Sequence, residues 1–236
     1  PMSSIGIFST IPKIAAATVI AVLAGENHSQ YAIMLIAGVA LITLLAGNFP
    51  ALLQTDVRRL MAYSGIGQSA FLLLAVLLIP SEGSAYLIFY AGVMALATLL
   101  ALYCLQWFER RYDAKRIEDF AGLGRDNRIA AVGVTVGFLS LTGLPPFAGF
   151  TAKLMIFSGL WSIQGFATNP LLIAAFLFGL LNTVISLFFY LKIPYYLFLR
   201  QGTRKSHGKV TGWQIALILL MIALLVIMFL VPDRFI

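Results

Sequence analysis

Three lysines lie inside long apolar segments of this chain, and they are the residues best placed to do chemistry there. Lys13, Lys153 and Lys192 are each surrounded by mainly apolar sequence. A charged lysine near the centre of a bilayer costs about 2.5–3.5 kcal/mol on insertion scales, so three of them require a reason. A desolvated lysine can release its proton, whereas an arginine in practice cannot. The three lysines therefore predict a relay that passes protons across a membrane.

Each lysine also has a simpler interpretation. Lys192 lies roughly 10 Å of helix rise from Arg200, so its side chain could reach the membrane surface without any function. Lys13 lies near the middle of its segment and Lys153 follows a proline pair, and for these two we favour the relay. All nine Asp and Glu residues fall at predicted loops or helix ends. The lysines are therefore expected to be neutral part of the time, hydrated, or paired with acids outside this sequence.

Polar side chains within the same segments could support proton transfer by holding ordered water. Interhelical hydrogen bonding is the common role of such residues in membranes, and for each one taken singly we favour it. Residues 182–190 recur at three- and four-residue spacings, so they share a helix face that leads towards Lys192. The predicted supporting residues are Arg58, Tyr63, Ser64, Thr142, Thr151 and Asn182, with Gln68, Ser69, Thr135, Ser140, Thr183, Ser186 and Tyr190 near them.

The composition excludes a soluble domain. Of 236 residues, 61% are hydrophobic and 11% are charged, against about 25% charged in soluble domains. The net charge of +7 is better explained by basic cytoplasmic loops than by nucleic-acid binding. The single cysteine, Cys104, and the two histidines, His28 and His207, argue against a metal site. No glycine-rich phosphate loop is present, so we expect no cofactor in this chain.

Hydropathy predicts an all-α fold, a polytopic bundle of transmembrane helices in a single domain over residues 1–236. A bilayer core needs about 20 apolar residues in a helix. One further apolar stretch, 129–164, contains Pro145 and Pro146 and must be interrupted. It could be two spans or one broken span. The uninterrupted spans are predicted at 3–24, 30–53, 60–79, 84–108, 170–199 and 211–231.

The distribution of basic residues decides between these two possibilities. Segments 54–59, 109–128 and 200–210 hold twelve of the sixteen Lys and Arg residues. If 129–164 crosses once, all three segments fall on one side of the membrane, as the positive-inside rule expects. If it crosses twice, the last basic segment lies on the opposite side. We therefore predict about seven crossings, one of them a discontinuous helix.

Five short motifs resemble the antiporter-like subunits of respiratory complex I. Residues 54–64 (QTDVRRLMAYS) resemble the Q-T-[ND]-[LI]-K-R-x-x-A-Y-S signature of those subunits. The similarity covers nearly the whole chain, and the motifs after residue 118 are similar to the subunit N family, the homologues of mitochondrial chain 2. The other motifs are 12–16 (PKIAA), 119–123 (DFAGL), 139–146 (LSLTGLPP) and 149–153 (GFTAK).

The resemblance implies roles for the lysines. That family has fourteen helices with broken helices that carry lysines, and this chain would match its C-terminal half. Lys13 would be the connecting lysine of the eighth helix, Lys153 the lysine of the broken twelfth helix, and Lys192 a partner on the thirteenth. Three positions depart from the family, because Arg58 stands where lysine is common, Gly65 where serine is frequent and Phe71 where tyrosine is frequent.

The expected function is that of a non-redox, proton-translocating subunit of an NADH:quinone oxidoreductase. NADH, FMN, iron–sulfur clusters and quinone would be bound by other subunits. The partners would be other membrane subunits of complex I and lipids, in a hetero-oligomer in the bacterial inner membrane rather than the mitochondrial one. Alternatives are a subunit of a cation/proton antiporter or membrane-bound hydrogenase complex, or a structural subunit whose lysines only hold helices together.

Overall fold

The computed structural model describes residues 13, 15–16, 30–79, 83–163, 165–202 and 210–235. Within these residues, eight α-helices lie between Gln30 and Leu230. No β-strand occurs among the described residues, which confirms the all-helical fold class. The helices are α1 (Gln30–Leu53), α2 (Val57–Val76), α3 (Gly83–Tyr112), α4 (Leu123–Asp126), α5 (Arg128–Thr142), α6 (Ala148–Trp161), α7 (Pro170–Phe198) and α8 (Gly212–Leu230).

Five of these helices are long and apolar enough to cross a membrane: α1, α2, α3, α7 and α8. The interrupted stretch forms α5 and α6, which are separated at Gly143 to Phe147. The predicted first span, 3–24, lies outside the described residues apart from Lys13, Ala15 and Ala16, which are helical. The chain is thus a multi-pass membrane protein with one broken helix among its described elements.

Two helices, α2 and α3, differ from the predicted bounds for local reasons. The predicted span 60–79 begins three residues earlier, at Val57, because the Asp56 carboxylate accepts a hydrogen bond from the Arg59 backbone N–H at 2.9 Å. The span 84–108 continues to Tyr112, and Arg110 and Arg111 lie in its last turn, where cations favour the helix dipole.

Segments 54–59 and 109–128 meet at one end of the bundle, together with residues 200–202 at the start of the third basic segment. The Ile117 N–H donates to Thr55 O at 2.9 Å, which joins segments 54–59 and 109–128. The Gly122 N–H donates to Tyr196 O at 3.0 Å, and Arg125 Nε donates to Phe198 O at 3.4 Å. These contacts hold 109–128 against the last turns of α7. The arrangement is the one that a single broken crossing over 129–164 requires.

Helices α1 and α2 pack with their backbones almost in contact. A Cβ atom at Gly47 would lie 2.3 Å from the backbone N of Gly67 and 2.6 Å from its Cα. The hydrogen bond from Asn48 Nδ2 to Asn182 O, at 3.3 Å, then ties α1 to α7. Close approach through small residues and interhelical amide bonds are the usual means of association in lipid.

We predict that Gly47→Ala destabilises the protein, because the new methyl group would clash with backbone atoms of α2, which cannot move away as a flexible side chain could. The expected loss is about 1–3 kcal/mol, seen as a lower thermal unfolding midpoint. Gly92→Ala is the matched control, since a Cβ atom there meets nothing within 4 Å. Equal midpoints for the two variants would contradict the proposed packing.

Candidate functional site

The gap between α5 and α6 leaves the end of a helix inside the bundle. The last four carbonyls of any α-helix lack partners within that helix, and such groups are costly in a bilayer. Gly143 ends α5 in the left-handed region, with φ of 88°. Its N–H donates to Leu139 O at 3.1 Å and to Ser140 O at 3.0 Å. Two carbonyls, those of Leu141 and Thr142, remain for side chains.

Lys153 satisfies both remaining carbonyls. Its Nζ donates to Leu141 O at 3.0 Å and to Thr142 O at 2.9 Å. The side chain is 4% exposed and lies on α6, one and a half turns beyond the break. A cation at the C-terminal end of a helix is also favoured by the helix dipole. The sequence-predicted lysine is therefore the group that caps α5.

The backbone around the break is shaped to admit this side chain. A Cβ atom at Gly143 would lie 2.9 Å from Lys153 Cδ, so the space beside the glycine is used by the lysine stem. A Cβ atom at Gly149 would lie 1.7 Å from Ser140 O, which shows how closely α6 approaches α5. Glycine is required at both positions.

The Phe71 ring covers the ammonium from α2. Lys153 Nζ lies 4.5 Å from the centroid of that ring, a cation–π distance. No ion pair involves Lys153 within the described part of the chain. Its charge is thus balanced by carbonyl oxygens and a ring face rather than by a carboxylate.

A hydrogen-bonded group extends from the break to α2, α3 and α7. Gln68 Nε2 donates to Leu141 O at 2.8 Å and to Tyr190 Oη at 3.3 Å. Gln68 Oε1 accepts from Tyr90 Oη at 2.5 Å, and Ser64 Oγ forms a hydrogen bond with Tyr190 Oη. One carbonyl at the end of α5, Leu141 O, thus connects Lys153 to hydroxyl groups on three helices.

A small cavity lies beside the ammonium group. Its volume is about 10 Å³, roughly the space for one water molecule. Gln68, Tyr90, Ser140 and Lys153 line it, and Ser140 Oγ is buried without a hydrogen-bond partner among the described residues. The site therefore combines a mainly apolar cavity with one hydroxyl that a water molecule could satisfy.

Lys192 occupies a similar position at the end of another helix. Its Nζ donates at 2.5 Å to Leu52 O, in the last turn of α1. It also lines a cavity of about 550 Å³ at the basic end of the bundle, with Gln54, Thr55 and Glu118. Lys153 and Lys192 thus each cap the C-terminal end of a neighbouring helix.

Lys13 is helical and half-buried, and most residues of its segment lie outside the described range. Tyr190 and Lys192 are two residues apart on α7, so they point to different sides of that helix. Tyr190 contacts Ser64, whereas Lys192 contacts Leu52. Of the predicted face at 182–190, Tyr190 therefore reaches the Lys153 site, while Lys192 faces α1.

The predicted supporting residues divide into two groups. Ser64 joins the hydrogen-bonded group, and Thr142 contributes its carbonyl to Lys153. Arg58 forms an ion pair with Glu109 at the basic end. The others lie apart from these contacts. The Thr135 and Thr183 hydroxyls donate to carbonyls of their own helices, and the Asn182 backbone carbonyl accepts from Asn48. Tyr63 and Thr151 are half-buried.

Sequence reasoning missed Tyr90 and the role of Phe71. Tyr90 is 3% exposed and lies in an apolar stretch of α3, where an aromatic residue carries no signal of function. Gln68 could be found, because an amide inside an apolar span needs a partner. Its particular partners depend on three other helices, and the sequence pattern contains no information about them.

Comparison with protein families identifies the chain's relatives. Residues 1–186 match the family of NADH:quinone oxidoreductase and Mrp antiporter transmembrane proteins. The chain belongs to this family. The match includes the whole α5–α6 break and Lys153 and ends within α7, before Lys192.

Curated relatives of this chain include subunits of NADH-quinone oxidoreductases. The chain is 34% identical over 170 residues to "NADH-quinone oxidoreductase subunit N 2" of Chloroherpeton thalassium, which is 72% of this chain and 32% of that protein. It is 28% identical over 208 residues to subunit N of Cytophaga hutchinsonii, 88% of this chain and 44% of that protein. The chain therefore spans less than half the length of these relatives.

Solved structures of similar fold belong to large membrane complexes. A chain of respiratory complex I from Thermus thermophilus with bound aureothin superimposes with a TM-score of 0.67 at 27% identity, covering 84% of this chain and 43% of that one. A chain of the Mrp complex from a Dietzia species gives a TM-score of 0.84 at 21% identity, covering 97% of this chain and 50% of that one. The second match shows a shared fold alone.

We predict that Gly143→Ala displaces Lys153 from the end of α5. The variant carries the strain of a left-handed alanine, about 1–2 kcal/mol, and its methyl group also takes space that the lysine stem occupies. Gly165→Ala is the matched control, because its φ is 81° and the nearest atom to its Cβ is at 3.6 Å. The thermal unfolding midpoint should fall further for Gly143→Ala than for the control. Equal losses would mean that the lysine stem does not depend on this glycine.

Proposed function

We propose that this chain forms part of the proton-translocating, antiporter-like membrane subunit of an NADH:quinone oxidoreductase. The observation that carries the proposal is the buried Lys153 ammonium held at the end of a broken helix. Family membership and the subunit N relatives support the same function. Electron transfer would take place in other subunits, and this chain would move protons through Lys13, Lys153 and Lys192.

The hydrogen bonds of Lys153 suit both of its protonation states. An ammonium group has three N–H donors and a neutral amine has two. Two donors are used by the carbonyls of Leu141 and Thr142. Loss of the third proton would therefore leave both carbonyls satisfied and the end of α5 capped. Such a lysine can exchange a proton without opening the helix break.

The cavity supplies a place for the third proton to go. A water molecule between Lys153 and Ser140 could accept that proton, and the Ser140 hydroxyl would accept a hydrogen bond from the water. The Tyr90 and Gln68 side chains line the same space and hold each other in position. Proton exchange would then proceed through water rather than by movement of the lysine stem.

Lys192 would connect the relay to the aqueous side at the basic end of the bundle. It lines a large cavity there, together with Glu118, whose carboxylate could collect protons from water. Lys13 would join the relay from the segment before α1. A change of charge at one lysine alters the proton affinity of its neighbours, which would link successive transfers.

The partners and cofactors follow from the same proposal. Other membrane subunits of complex I and lipids would surround the exposed apolar faces, in a hetero-oligomer of the bacterial inner membrane. FMN, iron–sulfur clusters, NADH and quinone would be bound elsewhere in the assembly. Relatives named for subunit N come from bacteria, which supports this location.

We predict that Lys153→Met, introduced into the full subunit and its assembly, lowers the protons moved per NADH oxidised by about tenfold or more, because the site loses its titrating group. Methionine preserves the length of the stem. Lys115→Met is the control, since Lys115 is an exposed lysine in the segment 109–128. Proton uptake into membrane vesicles and NADH oxidation should be measured together. Normal proton uptake by an assembled Lys153→Met variant would refute the proposed role.

The Lys192 position separates a proton relay from a helix clamp. Arginine fits beside the 550 Å³ cavity and can still donate to Leu52 O, but it does not release its proton. A relay predicts that Lys192→Arg and Lys192→Met both lose proton uptake. A clamp that only holds α7 against α1 predicts that arginine preserves it while methionine does not.

A cation/proton antiporter subunit is the second candidate. The Mrp complex chain from Dietzia shares the fold over 97% of this chain, and the matching family includes Mrp antiporters by name. Purified membranes that contain the assembly decide between the two. NADH-dependent quinone reduction with co-purifying peripheral subunits supports the first candidate. Sodium- or potassium-dependent proton exchange without NADH oxidation supports the second.

A further inference from the structure

A second polar pocket lies at the basic end of the bundle, between α3 and α8. Its volume is about 250 Å³, and Tyr103, Gln106, Trp107, Arg110 and Arg111 of α3 form one wall. These five residues recur at spacings of three and four, so they share one face of the helix. Thr211 and Gln214, at the start of α8, form the opposite wall.

The charges and donors in this pocket suit an anion. Arg110 and Arg111 are exposed, and neither forms an ion pair with any residue that the structure describes. The N-terminus of α8, nineteen residues long, faces the same space and adds the positive end of its dipole. No carboxylate of the described residues lines the pocket, and the nearby Glu109 is paired with Arg58.

Two further polar groups lie in the pocket wall, Gln106 and Tyr103. Gln106 is 7% exposed, and its side-chain amide makes no hydrogen bond within the described part of the chain. Tyr103 Oη lies in the same wall, where the Gln214 side chain of α8 approaches it across the pocket. Both groups can donate to an oxygen atom of a ligand. The Gln106 amide, which lines the pocket, is therefore available to a polar ligand.

The position of the pocket identifies the kind of anion. Trp107 and Tyr103 lie one to two turns before the end of α3, at the depth where aromatic side chains mark the membrane surface. Beyond the pocket, α8 exposes an apolar face on which Leu219 and Leu220 are 53% and 57% exposed. Acyl chains could lie along this face while a phosphate group occupies the pocket.

We propose that this pocket binds the phosphate headgroup of an anionic phospholipid. The two arginines would pair with the phosphate oxygens, and Gln106, Tyr103 and the α8 N-terminus would complete the donor set. This site is separate from the Lys153 site, so the proposal does not depend on proton translocation. It assigns one lipid-binding position on the surface of the chain.

The test uses the intact membrane assembly, exchanged into lipid nanodiscs of phosphatidylcholine with increasing amounts of phosphatidylglycerol. Binding is read by cross-linking of a headgroup-labelled phosphatidylglycerol, followed by peptide mapping. We expect cross-links to the peptides that contain Arg110 and Thr211. The double variant Arg110→Gln/Arg111→Gln should weaken this binding roughly thirtyfold, since each arginine near an anionic membrane contributes about fivefold.

The matched control is Arg59→Gln/Arg128→Gln, which removes the same charge from exposed arginines at the same end of the bundle, outside the pocket. Equal labelling in the two double variants would overturn the proposal. Inorganic phosphate is added in a second arm. If it displaces the lipid at millimolar concentration, the pocket is a general phosphate site and the lipid assignment is wrong. Cross-links to an acidic segment of another subunit would also overturn it.

Discussion

The interaction on which the rest of the structure depends is the hydrogen bonding of Lys153 to the last two carbonyls of α5. A helix that ends inside a bilayer leaves carbonyl groups without water, and each must find another donor. Gly143 turns the chain and satisfies two of them, and Lys153 satisfies the other two. The glycine, the close approach of α6 and the Phe71 ring are then consequences of fitting an ammonium group into that gap. The same contacts would fix the position of a group that exchanges protons.

Lys153 and Lys192 each cap the C-terminal end of a neighbouring helix, although they lie in different environments. Lys153 lies beside a cavity of about 10 Å³, whereas Lys192 lies beside one of about 550 Å³. Each ammonium group meets the negative end of a neighbouring helix rather than a carboxylate. Helix dipoles can favour a charge without neutralising it, so a proton bound there remains exchangeable. A carboxylate at the same distance would hold the proton more firmly. This physical difference explains why lysines without acidic partners suit a relay.

Hydropathy and charge were sufficient to predict the helical class, the position of the break and the location of segments 54–59 and 109–128 at the same end of the bundle. These features depend on the residue types within single segments, which can be read directly from the sequence. Helix ends were less accurate: α2 begins at Val57 because Asp56 caps it, a local effect that a hydropathy average hides. The lysines of the site could be recognised because a charge in an apolar span needs a reason. Tyr90 and the Gln68 contacts could not, since they arise only when α2, α3, α5 and α7 pack together.

Nitrogen-15 NMR of the Lys153 Nζ, in the full assembly reconstituted in lipid, tests the account most directly. The resonance is assigned by its absence in Lys153→Met, and its chemical shift distinguishes an ammonium group from a neutral amine. Our account predicts that both forms are populated and that their ratio changes when NADH and quinone are supplied. Within one sample, the carbonyl resonances of Leu141 and Thr142 should stay in place, because both forms can donate two hydrogen bonds. An ammonium signal that persists unchanged during turnover would contradict the central claim that Lys153 carries the proton.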